Sequence, residues 1–502
     1  MSRKKKKQNQ PINFSPEKEA LERFRKLLPA DELGLLLEEL EKPLYPGIRL
    51  NPLKSKPEAL IKTLVERYQW KIEPVPFCDE GYWIVESATP ISQPIEHRLG
   101  SYYIQDPASM LPVSLFEFDN VSKPLILDMA ASPGGKTTHL ISRSKDQGLV
   151  VANDASQSRI TALKLVLQTW GGMNIAVTRF PGEKWGSWFP ETFDRVLLDA
   201  PCSMQNLRST EARSMRPITE KERQRLASRQ FSLLSSALAA VKTGGQIVYA
   251  TCTLNPEENE GVLDNLLREY PDSVRIDCVD DILEGNAPAL SEFEDQTYHP
   301  DISKAARLWP HRMRTSGFFT ARITKMQSIP VTPRDFPERA FSKTKLKAMK
   351  HLEKVTFFHL IEDRYGFDFS NILESQELIL MERANQKGNQ LFVVPEIWVE
   401  YFALLPYQNL GMLVGEEKYG NFEPSHEWLS RFAGDFTNGK FILPDELKTA
   451  WLRGEDMHID TTDQMESGVI AAVFNQGGQL LGKGKILPGR VRNLLPSRLI
   501  YQ

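Results

Sequence analysis

Short apolar runs alternate with longer segments of helical character between Pro124 and Lys325. The runs are apolar at every position rather than at every second one, a pattern typical of parallel strands buried on both faces. The last run, residues 317–323, follows a turn-rich segment without a long helix, so we expect this strand to be antiparallel. The pattern predicts an α/β domain with a doubly wound, mostly parallel sheet. The predicted strands span residues 125–129, 149–152, 175–177, 196–198 and 246–250, and the predicted helices 156–170, 220–241 and 256–270.

The segments on either side of this domain have different patterns. The N-terminal side predicts helices at 18–28, 30–40 and 58–68 and a strand at 81–85, which together indicate a small α+β unit. The C-terminal side begins with a linker rich in Pro, Ser and charge, continues with a predicted helix at 341–351, and ends in mixed short elements. We therefore predict five parts: a basic arm (1–15), an N-terminal α+β domain (16–110), the α/β domain (111–325), a linker (326–345) and a C-terminal region (346–502).

Charge is nearly balanced over the 502 residues, with 62 basic and 65 acidic side chains and a net charge of −3. This excludes a globally basic nucleic-acid coat, but a local basic track remains possible because phosphate binding depends on where the charges lie. Basic residues gather in three places, each of which fits either a solvated surface or a phosphate contact. These are the first seven residues; a segment containing Arg208, Arg213, Arg216, Lys221, Arg223, Arg225 and Arg229; and a C-terminal stretch with Lys483, Lys485, Arg490, Arg492 and Arg498 but no acidic residue.

Four cysteines are too few and too scattered for a disulfide framework or a zinc site, and none belongs to a CxxC pair. We therefore expect no metal. The basic N-terminus is not followed by an apolar stretch, and no window reaches 18 uninterrupted apolar residues. These observations predict a soluble, reduced protein in the cytoplasm, with no membrane contact.

A small-residue loop follows the first strand of the α/β domain and reads Asp128-Met-Ala-Ala-Ser-Pro-Gly-Gly-Lys-Thr. Such a loop lets the backbone approach a ligand, and the next helix offers free N–H groups to an anionic group. Gly135-Lys-Thr resembles the end of a Walker phosphate loop, but Ala130 occupies the place of its first glycine. The loop therefore fits a ligand with one compact anionic group and an adenosine, whose ribose Asp154 would bind at the end of the second strand. A nucleoside triphosphatase remains an alternative.

Two cysteines follow the ends of two later strands, in Leu197-Leu-Asp-Ala-Pro-Cys and Tyr249-Ala-Thr-Cys-Thr. The carboxyl ends of parallel strands form the ligand site of a doubly wound sheet, where neighbouring strands lie about 4.8 Å apart. If these strands are neighbours, Asp199, Cys202 and Cys252 meet at one pocket. A single cysteine is more often a small core residue, but this paired placement favours chemistry.

These motifs together resemble the RNA cytosine-5 methyltransferases of the Nop2/Sun class, which use S-adenosylmethionine. The resemblance covers nearly the whole chain, and the C-terminal half is similar to that of the bacterial 16S ribosomal RNA methyltransferases of the RsmF type. It rests on Arg49-Leu-Asn-Pro, Tyr103-Ile-Gln-Asp-Pro-Ala-Ser-Met-Leu-Pro, the loop Ala130 to Lys136, Asp199-Ala-Pro-Cys, Thr251-Cys-Thr, Arg307-Leu-Trp-Pro-His, Gly317-Phe-Phe and Val491-Arg-Asn-Leu-Leu-Pro.

The resemblance implies a Rossmann-like methyltransferase domain, a PUA-like RNA-binding region near the C-terminus, and methylation of carbon 5 of a cytosine, with 16S ribosomal RNA or the small subunit as partner of a monomer. Cys252 would be the nucleophile at carbon 6, Cys202 would assist proton removal or product release, and Asp199 would contact cytosine N3. The implied cofactor-binding residues are Ala130, Ala131, Ser132, Pro133, Gly134, Gly135, Lys136, Asp154 and Asp199. The expected RNA-binding residues are Arg49, Asn51, Arg208, Lys483, Lys485, Arg490 and Arg492.

The sequence departs from the family pattern in two places. Cys202 is followed by Ser-Met-Gln-Asn where the family usually has Ser-Gly-Glu-Gly, and Pro181-Gly182 stands where the family has an Asp-Gly that contacts adenine. Glu183 is near enough to take the place of that aspartate. The departures leave open a catalytically silent RNA-binding or ribosome-assembly protein.

Overall fold

The computed structural model describes residues 22–208, 217–285, 287–386, 388–418, 421–459 and 465–501. The predicted basic arm, together with Arg213 and Arg216 of the predicted basic segment, lies outside the described residues. Among the described residues, no helix combines the length and the apolar character needed to cross a membrane.

The N-terminal unit is a four-stranded antiparallel sheet in the order β2-β3-β1-β4, with helices beside it. The helices predicted at 30–40 and 58–68 are confirmed. In the third predicted helix, 18–28, residues 18–21 lie outside the described part of the chain, and Arg25–Leu27 forms a 3-10 turn. Pro57, which can begin a helix but not continue one, starts the second helix. The strands are β1 (Gly47–Leu50), β2 (Lys71–Pro74), β3 (Gly81–Glu86) and β4 (Tyr102–Ile104), and the helices are Ala30–Glu41, Pro57–Tyr68 and Ile95–Arg98.

The central unit contains the predicted α/β sheet. Its strands are β5 (Leu125–Asp128), β6 (Leu149–Asn153), β7 (Ile175–Thr178), β8 (Phe193–Asp199), β9 (Val241–Thr251), β10 (Val274–Asp277), β11 (Ala287–Pro288), β12 (Glu292–Phe293), β13 (Gln296–Thr297), β14 (Ala306–Leu308) and β15 (Phe318–Lys325). Its helices are Leu111–Ser114, Gly135–Arg143, Gln157–Trp170, Trp185–Trp188, Glu220–Ala240, Glu260–Glu269 and Pro310–Met313; 3-10 turns span Pro107–Met110, Gly182–Lys184, Pro256–Glu258 and Pro300–Lys304.

The central sheet has ten strands. The strands β9-β8-β5-β6-β7 are parallel in that order, and β15 pairs with β9 in the antiparallel direction, as the sequence predicted. Leu125 and Leu127 pack into the core on one face of the sheet, while Ile126 packs into the core on the other face. Burial on both faces is the reason that these strands are apolar throughout. The α/β fold prediction is confirmed.

The C-terminal part holds two five-stranded sheets, in the orders β16-β17-β18-β20-β21 and β22-β24-β25-β26-β23. Its strands are β16 (Lys347–Ala348), β17 (Leu378–Asn385), β18 (Gly388–Pro395), β19 (Asn409–Leu410), β20 (Met412–Lys418), β21 (Asn421–Pro424), β22 (Lys440–Leu443), β23 (Met457–His458), β24 (Ile470–Asn475), β25 (Leu480–Leu487) and β26 (Arg490–Asn493). Its helices are His351–Tyr365, Phe369–Ser375, Glu396–Tyr401, His426–Phe432 and Lys448–Leu452. Its 3-10 turns are Phe341–Thr344, Asp445–Leu447 and Ser497–Leu499.

The predicted helix at 341–351 is wrong. A 3-10 turn at Phe341–Thr344 ends at Lys345, whose φ is +62°, and the next residues pair with β17 as the short strand β16. The helix begins only at His351. Pairing with a strand more than 30 residues away therefore overrides the local helical pattern.

The predicted linker lies against the central unit. Residues 326–340 form neither helix nor strand, but Phe336 stacks on Phe189 with ring centroids 5.0 Å apart, and the Arg334 N–H donates to the Ser187 carbonyl at 2.9 Å. Beyond the linker, β19 pairs with β7 and extends the central sheet. The C-terminal part is thereby attached directly to the α/β core.

Candidate active site

The loop after β5 passes close to its neighbours through two glycines. Gly134 has a φ of +115°, and a Cβ there would lie 3.0 Å from Val166 Cγ1; a Cβ on Gly135 would lie 2.9 Å from Tyr103 Cε1. Gly134 is also the N-cap of the helix Gly135–Arg143 and has no side chain to cap the first-turn amides. These N–H groups are therefore available to an anionic ligand group. The Ser132–Pro133 peptide bond within the loop is cis.

The loop is tied to the strand ends behind it. Asp154, 3% exposed, accepts hydrogen bonds from the Ser156 N–H at 2.8 Å and the Ser132 N–H at 3.3 Å. The buried Asn153 amide donates to the Met129 carbonyl at 3.1 Å and accepts a hydrogen bond from Thr178 at 3.1 Å. Asp154 thus lies beside the loop, as predicted, whereas sequence reasoning missed Asn153, which joins the ends of β5, β6 and β7.

Glu183, the acid near the position where the family has an aspartate, lies shortly after the end of β7. Glu183 follows Gly182, and its side chain, 30% exposed, accepts a hydrogen bond from Arg229 Nε at 3.2 Å. A Cβ on Gly182 would lie 2.6 Å from Leu233 Cδ2, so the chain is close-packed at this point. Glu183 therefore follows a close-packed turn after β7, and its carboxylate is shared with Arg229.

Lys136 and Asp199 form an ion pair at the mouth of the site. Lys136 Nζ donates to Asp199 Oδ2 at 2.7 Å, and the side chains are 11% and 32% exposed. Burial disfavours the Lys136 ammonium, but the Asp199 carboxylate outweighs this effect and raises the pKa of Lys136. Lys136 is therefore bound to the strand end of β8 and is charged.

The two cysteines meet at the ends of β8 and β9. These strands are parallel neighbours, with Asp199 in register with Ala250. Cys202 Sγ lies 3.2 Å from Cys252 Sγ, both thiols are free, and both residues are partly buried. The contact with Cys252, followed by burial, raises the pKa of Cys202 well above its usual value. The predicted convergence of Asp199, Cys202 and Cys252 is thus present.

A buried polar network lies beneath the cysteines, and sequence reasoning missed it. Glu258 has no exposed surface and accepts hydrogen bonds from Ser203, Gln230 and Asn255. The signal in the sequence is the run Asn255-Pro-Glu-Glu-Asn shortly after Cys252. Asn255, Glu258 and Asn259 of this run are fully buried. Three buried polar or acidic side chains beside a strand end are unusual in a core and indicate a specific role.

Arg49 and Asn51 do not face solvent, contrary to the expectation that they contact RNA. Arg49 is fully buried and donates to Gln105 Oε1 at 3.1 Å, the Gly135 carbonyl at 3.0 Å and Thr138 Oγ1 at 2.6 Å. The buried Asn51 amide donates to the carbonyls of Gly100 and Trp170 at 2.8 and 2.9 Å. Both residues instead attach the N-terminal unit to the helices Gly135–Arg143 and Gln157–Trp170, because their side chains are buried and donate to groups of those helices.

Arg208 likewise has protein partners where an RNA contact was expected. Its guanidinium, 8% exposed, donates to the carbonyls of Glu39, Leu40 and Lys42 at 2.9, 3.3 and 2.8 Å. These carbonyls end the helix Ala30–Glu41, and a cation is favourable there. Arg208 therefore caps a helix in this structure.

The four C-terminal residues that were expected to bind RNA differ in exposure. Lys483 is half-buried and donates to the Pro424 carbonyl at 2.7 Å, and burial lowers its pKa. Lys485 is also half-buried, whereas Arg490 and Arg492 are exposed on β26. Arg490 lies 3.7 Å from the Asp456 carboxylate. Arg492 is therefore exposed to a phosphate directly, and Arg490 can reach one by exchanging its contact with Asp456.

One group of side chains of the metal-ligand type lies among the described residues. Cys78 Sγ is 3.8 Å from His139 Nε2, which is 3.7 Å from Glu80 Oε2. Burial lowers the pKa of His139 to about 4, so this imidazole is neutral. Burial would raise the pKa of Glu80, but His139, Arg49 and Arg143 lower it to about 2. The charge of Glu80 is therefore already balanced by nearby protein cations.

Comparison with known proteins places this site in a family. The model of a family described as 16S rRNA methyltransferase RsmB/F matches residues 117–324, and that of the N-terminal domain of 16S rRNA methyltransferase RsmF matches residues 17–107. The chain is 31% identical over 488 residues to ribosomal RNA small subunit methyltransferase F of Erwinia tasmaniensis, covering 96% of both chains. It is 29% identical to the protein of the same name from Pectobacterium atrosepticum, covering 96% of this chain and 95% of that protein.

A solved structure shares the fold. A methyltransferase homolog protein from Pyrococcus horikoshii superposes with a TM-score of 0.52 and 29% identity, covering 61% of this chain and 99% of that one. The glycine loop, the acid at the end of β6 and the paired strand ends suit S-adenosylmethionine, the cofactor of this methyltransferase fold. On the extent of these matches, the chain belongs to the small-subunit ribosomal RNA methyltransferase F family, with a Rossmann-like, S-adenosylmethionine-dependent catalytic domain.

Proposed function

We propose that this protein methylates carbon 5 of a cytosine in 16S ribosomal RNA, through a covalent adduct between Cys252 and carbon 6. The observation that carries the proposal is the pair of free thiols 3.2 Å apart, at the ends of adjacent strands beside the cofactor loop. Carbon 5 of cytosine is a poor nucleophile, so a thiolate must first add to carbon 6. A second thiol within contact distance of the first fits the later removal of a proton from carbon 5.

The first step is attack by the Cys252 thiolate. A bond forms between Cys252 Sγ and carbon 6, and the electron pair of the double bond between carbons 5 and 6 moves into the ring. N3 gains a proton as this charge develops, and the Lys136–Asp199 pair can deliver it, since Lys136 Nζ lies 2.7 Å from Asp199 Oδ2. Asp199 would pass the proton to N3 and regain one from Lys136, which is left neutral.

S-adenosylmethionine, when bound, supplies the methyl group from its sulfonium. Once the adduct has formed, Cys202 would release its own proton to solvent and, as a thiolate, take the proton from carbon 5. The electron pair of that bond re-forms the double bond as the bond between Cys252 Sγ and carbon 6 breaks. Cys252 leaves as thiolate, and N3 returns its proton through Asp199 to Lys136. Cys202 ends protonated, as it began, so the one net proton of the reaction is the one that Cys202 released to solvent before it took the carbon-5 proton.

The residues from Ala130 to Lys136 suit the amino-acid end of the cofactor, and Asp154 suits its ribose. The first-turn amides at Gly135 can bind the carboxylate. Asp154 is 3% exposed and lies beside the loop, with its oxygens turned toward Ser132 and Ser156, so ribose binding would exchange one of these hydrogen bonds. Glu183 is our candidate for the adenine end.

RNA would reach the site as a single strand or a locally opened helix, since the base must leave its stack to meet Cys252. The exposed cations are candidates for the phosphates: Lys221, Arg225, Arg229, Arg490 and Arg492. We further propose that the sheet of β22 to β26 is PUA-like, that the predicted domain boundaries hold, and that the protein acts as a monomer in the cytoplasm.

The two alternatives considered from the sequence have weaker support. Family membership argues against a nucleoside triphosphatase. A catalytically silent protein was suggested by Met204 to Asn206, yet this stretch is integrated into the site: the Leu254 N–H donates to the Gln205 carbonyl at 3.0 Å, and the Gly317 N–H to the Asn206 carbonyl at 2.8 Å. Methyl transfer to isolated small-subunit RNA would eliminate the silent protein.

The test compares three cysteine variants by methyl transfer and by denaturing gels of protein and RNA. Cys252→Ala should abolish both transfer and adduct, and Cys202→Ala should accumulate a covalent protein–RNA adduct. Cys278→Ala is the matched control, because Cys278 is exposed and its thiol donates a hydrogen bond to the Asp280 carboxylate, not to the cysteine pair. Full activity in Cys252→Ala would overturn the proposal. Bisulfite sequencing of ribosomal RNA from cells with and without the protein would locate the cytosine.

A further inference from the structure

Glu258 is a fully buried carboxylate directly behind the cysteine pair. It accepts hydrogen bonds from the Ser203 N–H at 2.9 Å, Gln230 Nε2 at 3.0 Å and Asn255 Nδ2 at 3.0 Å, and a fourth from the Ser203 hydroxyl. In the part of the chain that the structure describes, no Lys or Arg forms an ion pair with Glu258. Its charge is therefore stabilised by neutral dipoles and is not cancelled by a cation.

The hydrogen bonds of Glu258 join the loops that carry the two thiols. Ser203 follows Cys202 directly, and Asn255 is three residues after Cys252. The Ser203 hydroxyl also lies 3.0 Å from Thr253 Oγ1, which adds a direct bridge between the loops. One carboxylate thus fixes both loops, and with them the 3.2 Å separation of the sulfurs.

The charges around the thiols differ between the two sides of the pair. On the Cys202 side, the contact with Cys252 and burial raise the pKa of Cys202, and the negative charge of Glu258 adds to them. On the Cys252 side, the Lys136 ammonium interacts favourably with a thiolate on Cys252, although it is shared with Asp199. Tyr249 donates to the Glu258 main-chain carbonyl at 2.6 Å, and burial raises its pKa, so it stays neutral. This arrangement disfavours a thiolate on Cys202.

We propose that Glu258 is a positioning residue for the cysteine pair: its carboxylate locks the Cys202 loop to the Cys252 loop, and its charge keeps the proton of the pair on Cys202 in the resting enzyme. Cys252 is then the thiolate that attacks, and Cys202 holds its proton until the adduct has formed. The inference rests on the proposed function for its catalytic meaning, but the order in which the thiols ionise is a property of the free protein.

The experiment measures alkylation of each cysteine as a function of pH, by peptide mass spectrometry, without RNA or cofactor. In the wild type, Cys252 should react at lower pH than Cys202. In Glu258→Gln, which keeps the shape but removes the charge, the Cys202 midpoint should fall by about one pH unit and the gap should narrow. Glu258→Asp, which keeps the charge, should restore most of the gap.

The matched control is Glu257→Gln. Glu257 is the neighbouring acid, but its side chain is 30% exposed and pairs with Arg23 and Arg223 instead of the cysteine loops. This variant should leave both alkylation profiles and the methyl-transfer rate unchanged. In Glu258→Gln, kcat should fall between about tenfold and a hundredfold with little change in KM for RNA, since misplacement of a catalytic group costs rate rather than binding.

Two results would overturn the proposal: alkylation profiles in Glu258→Gln that match the wild type, or equal profiles in Glu258→Gln and Glu258→Asp. The second result would mean that packing, and not charge, sets the order. If Glu258→Gln fails to fold, the comparison of Glu258→Asp with Glu257→Gln still decides. A wild-type difference between the alkylation midpoints of Cys252 and Cys202 in Glu258→Asp supports the role of the charge, and loss of that difference refutes it. If the wild-type protein showed the predicted order of alkylation but transferred no methyl group to small-subunit RNA, that result would count against the proposed function and not against the role of Glu258.

Discussion

Replacing Arg307 tests how the fold holds the Cys252 loop in place. Arg307 and Glu260 are 1% and 0% exposed, and Arg307 Nε and Nη2 each donate to a Glu260 oxygen at 2.6 Å. Arg307 Nη1 also donates to the Leu254 carbonyl at 2.9 Å, two residues after Cys252. Arg307→Met leaves the Glu260 carboxylate buried without its cation, which costs about 3–5 kcal/mol.

The assay is thermal unfolding followed by circular dichroism. For a domain of this size, about 1 kcal/mol lowers Tm by roughly 2–4 °C, so Arg307→Met should lower Tm by roughly 6–20 °C. Adding Glu260→Leu removes the unpaired charge and should recover more than half of the loss. The double variant still lacks the donor to Leu254 and leaves the Leu290 N–H without its Glu260 acceptor, so recovery should be incomplete.

A solvent-exposed pair provides the control. Lys62 Nζ lies 3.9 Å from Glu66 Oε1, and the two side chains are 73% and 66% exposed, so Lys62→Met should change Tm by no more than about 2–4 °C. If Arg307→Met lowered Tm no more than this control, or if Glu260→Leu failed to improve the Arg307→Met variant, the buried pair would not hold the loop as described. Either result would refute the reasoning.

Three further predictions concern pH, the cofactor and RNA. Burial raises the pKa of Asp128 from 3.8 to about 7. Between these pH values the native protein binds more protons than the unfolded chain, so its stability falls as pH rises through them. Asp128→Asn should remove this loss of stability, which is worth at most about 4 kcal/mol, and equal Tm profiles of the variant and the wild type from pH 5 to 8 would contradict the prediction. Gly134→Ala places a Cβ against the Val166 side chain at a residue whose φ is +115°. Calorimetry should show that this variant binds the cofactor about tenfold or more weakly. Gly434→Ala, where a Cβ meets nothing within 4 Å, should bind it as the wild type does. Replacing Arg490 and Arg492 with Gln should lower the salt slope of RNA binding by about 2, and an unchanged slope would show that neither contacts a phosphate.

The sequence predicted the catalytic half of the molecule in some detail because its signals are local. Apolar runs between helices indicate buried parallel strands, and chemistry-bearing residues directly after such runs are expected at one edge of the sheet. Cys202 and Cys252 follow this rule, since their strands are neighbours and their sulfurs lie 3.2 Å apart. The glycine loop and Asp154 follow it as well.

The sequence was a poor guide where a side chain's role depends on a distant partner. Arg49 and Arg208 read as RNA contacts because arginines in a nucleic-acid enzyme suggest phosphates. In the structure, Arg49 binds Gly135 and Thr138, more than 80 positions away, and Arg208 binds carbonyls more than 160 positions away. A positive charge has the same sequence signature whether it faces solvent or satisfies buried carbonyls.

By itself, then, the sequence determined the parallel strands, the glycine loop after β5 and the placement of the two cysteines, because strand periodicity and strand ends are set by neighbours along the chain. Only the tertiary structure decided which charges are internal and how the thiols are held. Glu257 and Glu258 are adjacent and identical in type, yet Glu257 is partly exposed and pairs with two arginines, whereas Glu258 is buried behind Cys202 without a cation among the described residues. The free energy of a buried charge depends on the dipoles that the fold brings to it, and those dipoles come from three separate segments of the chain.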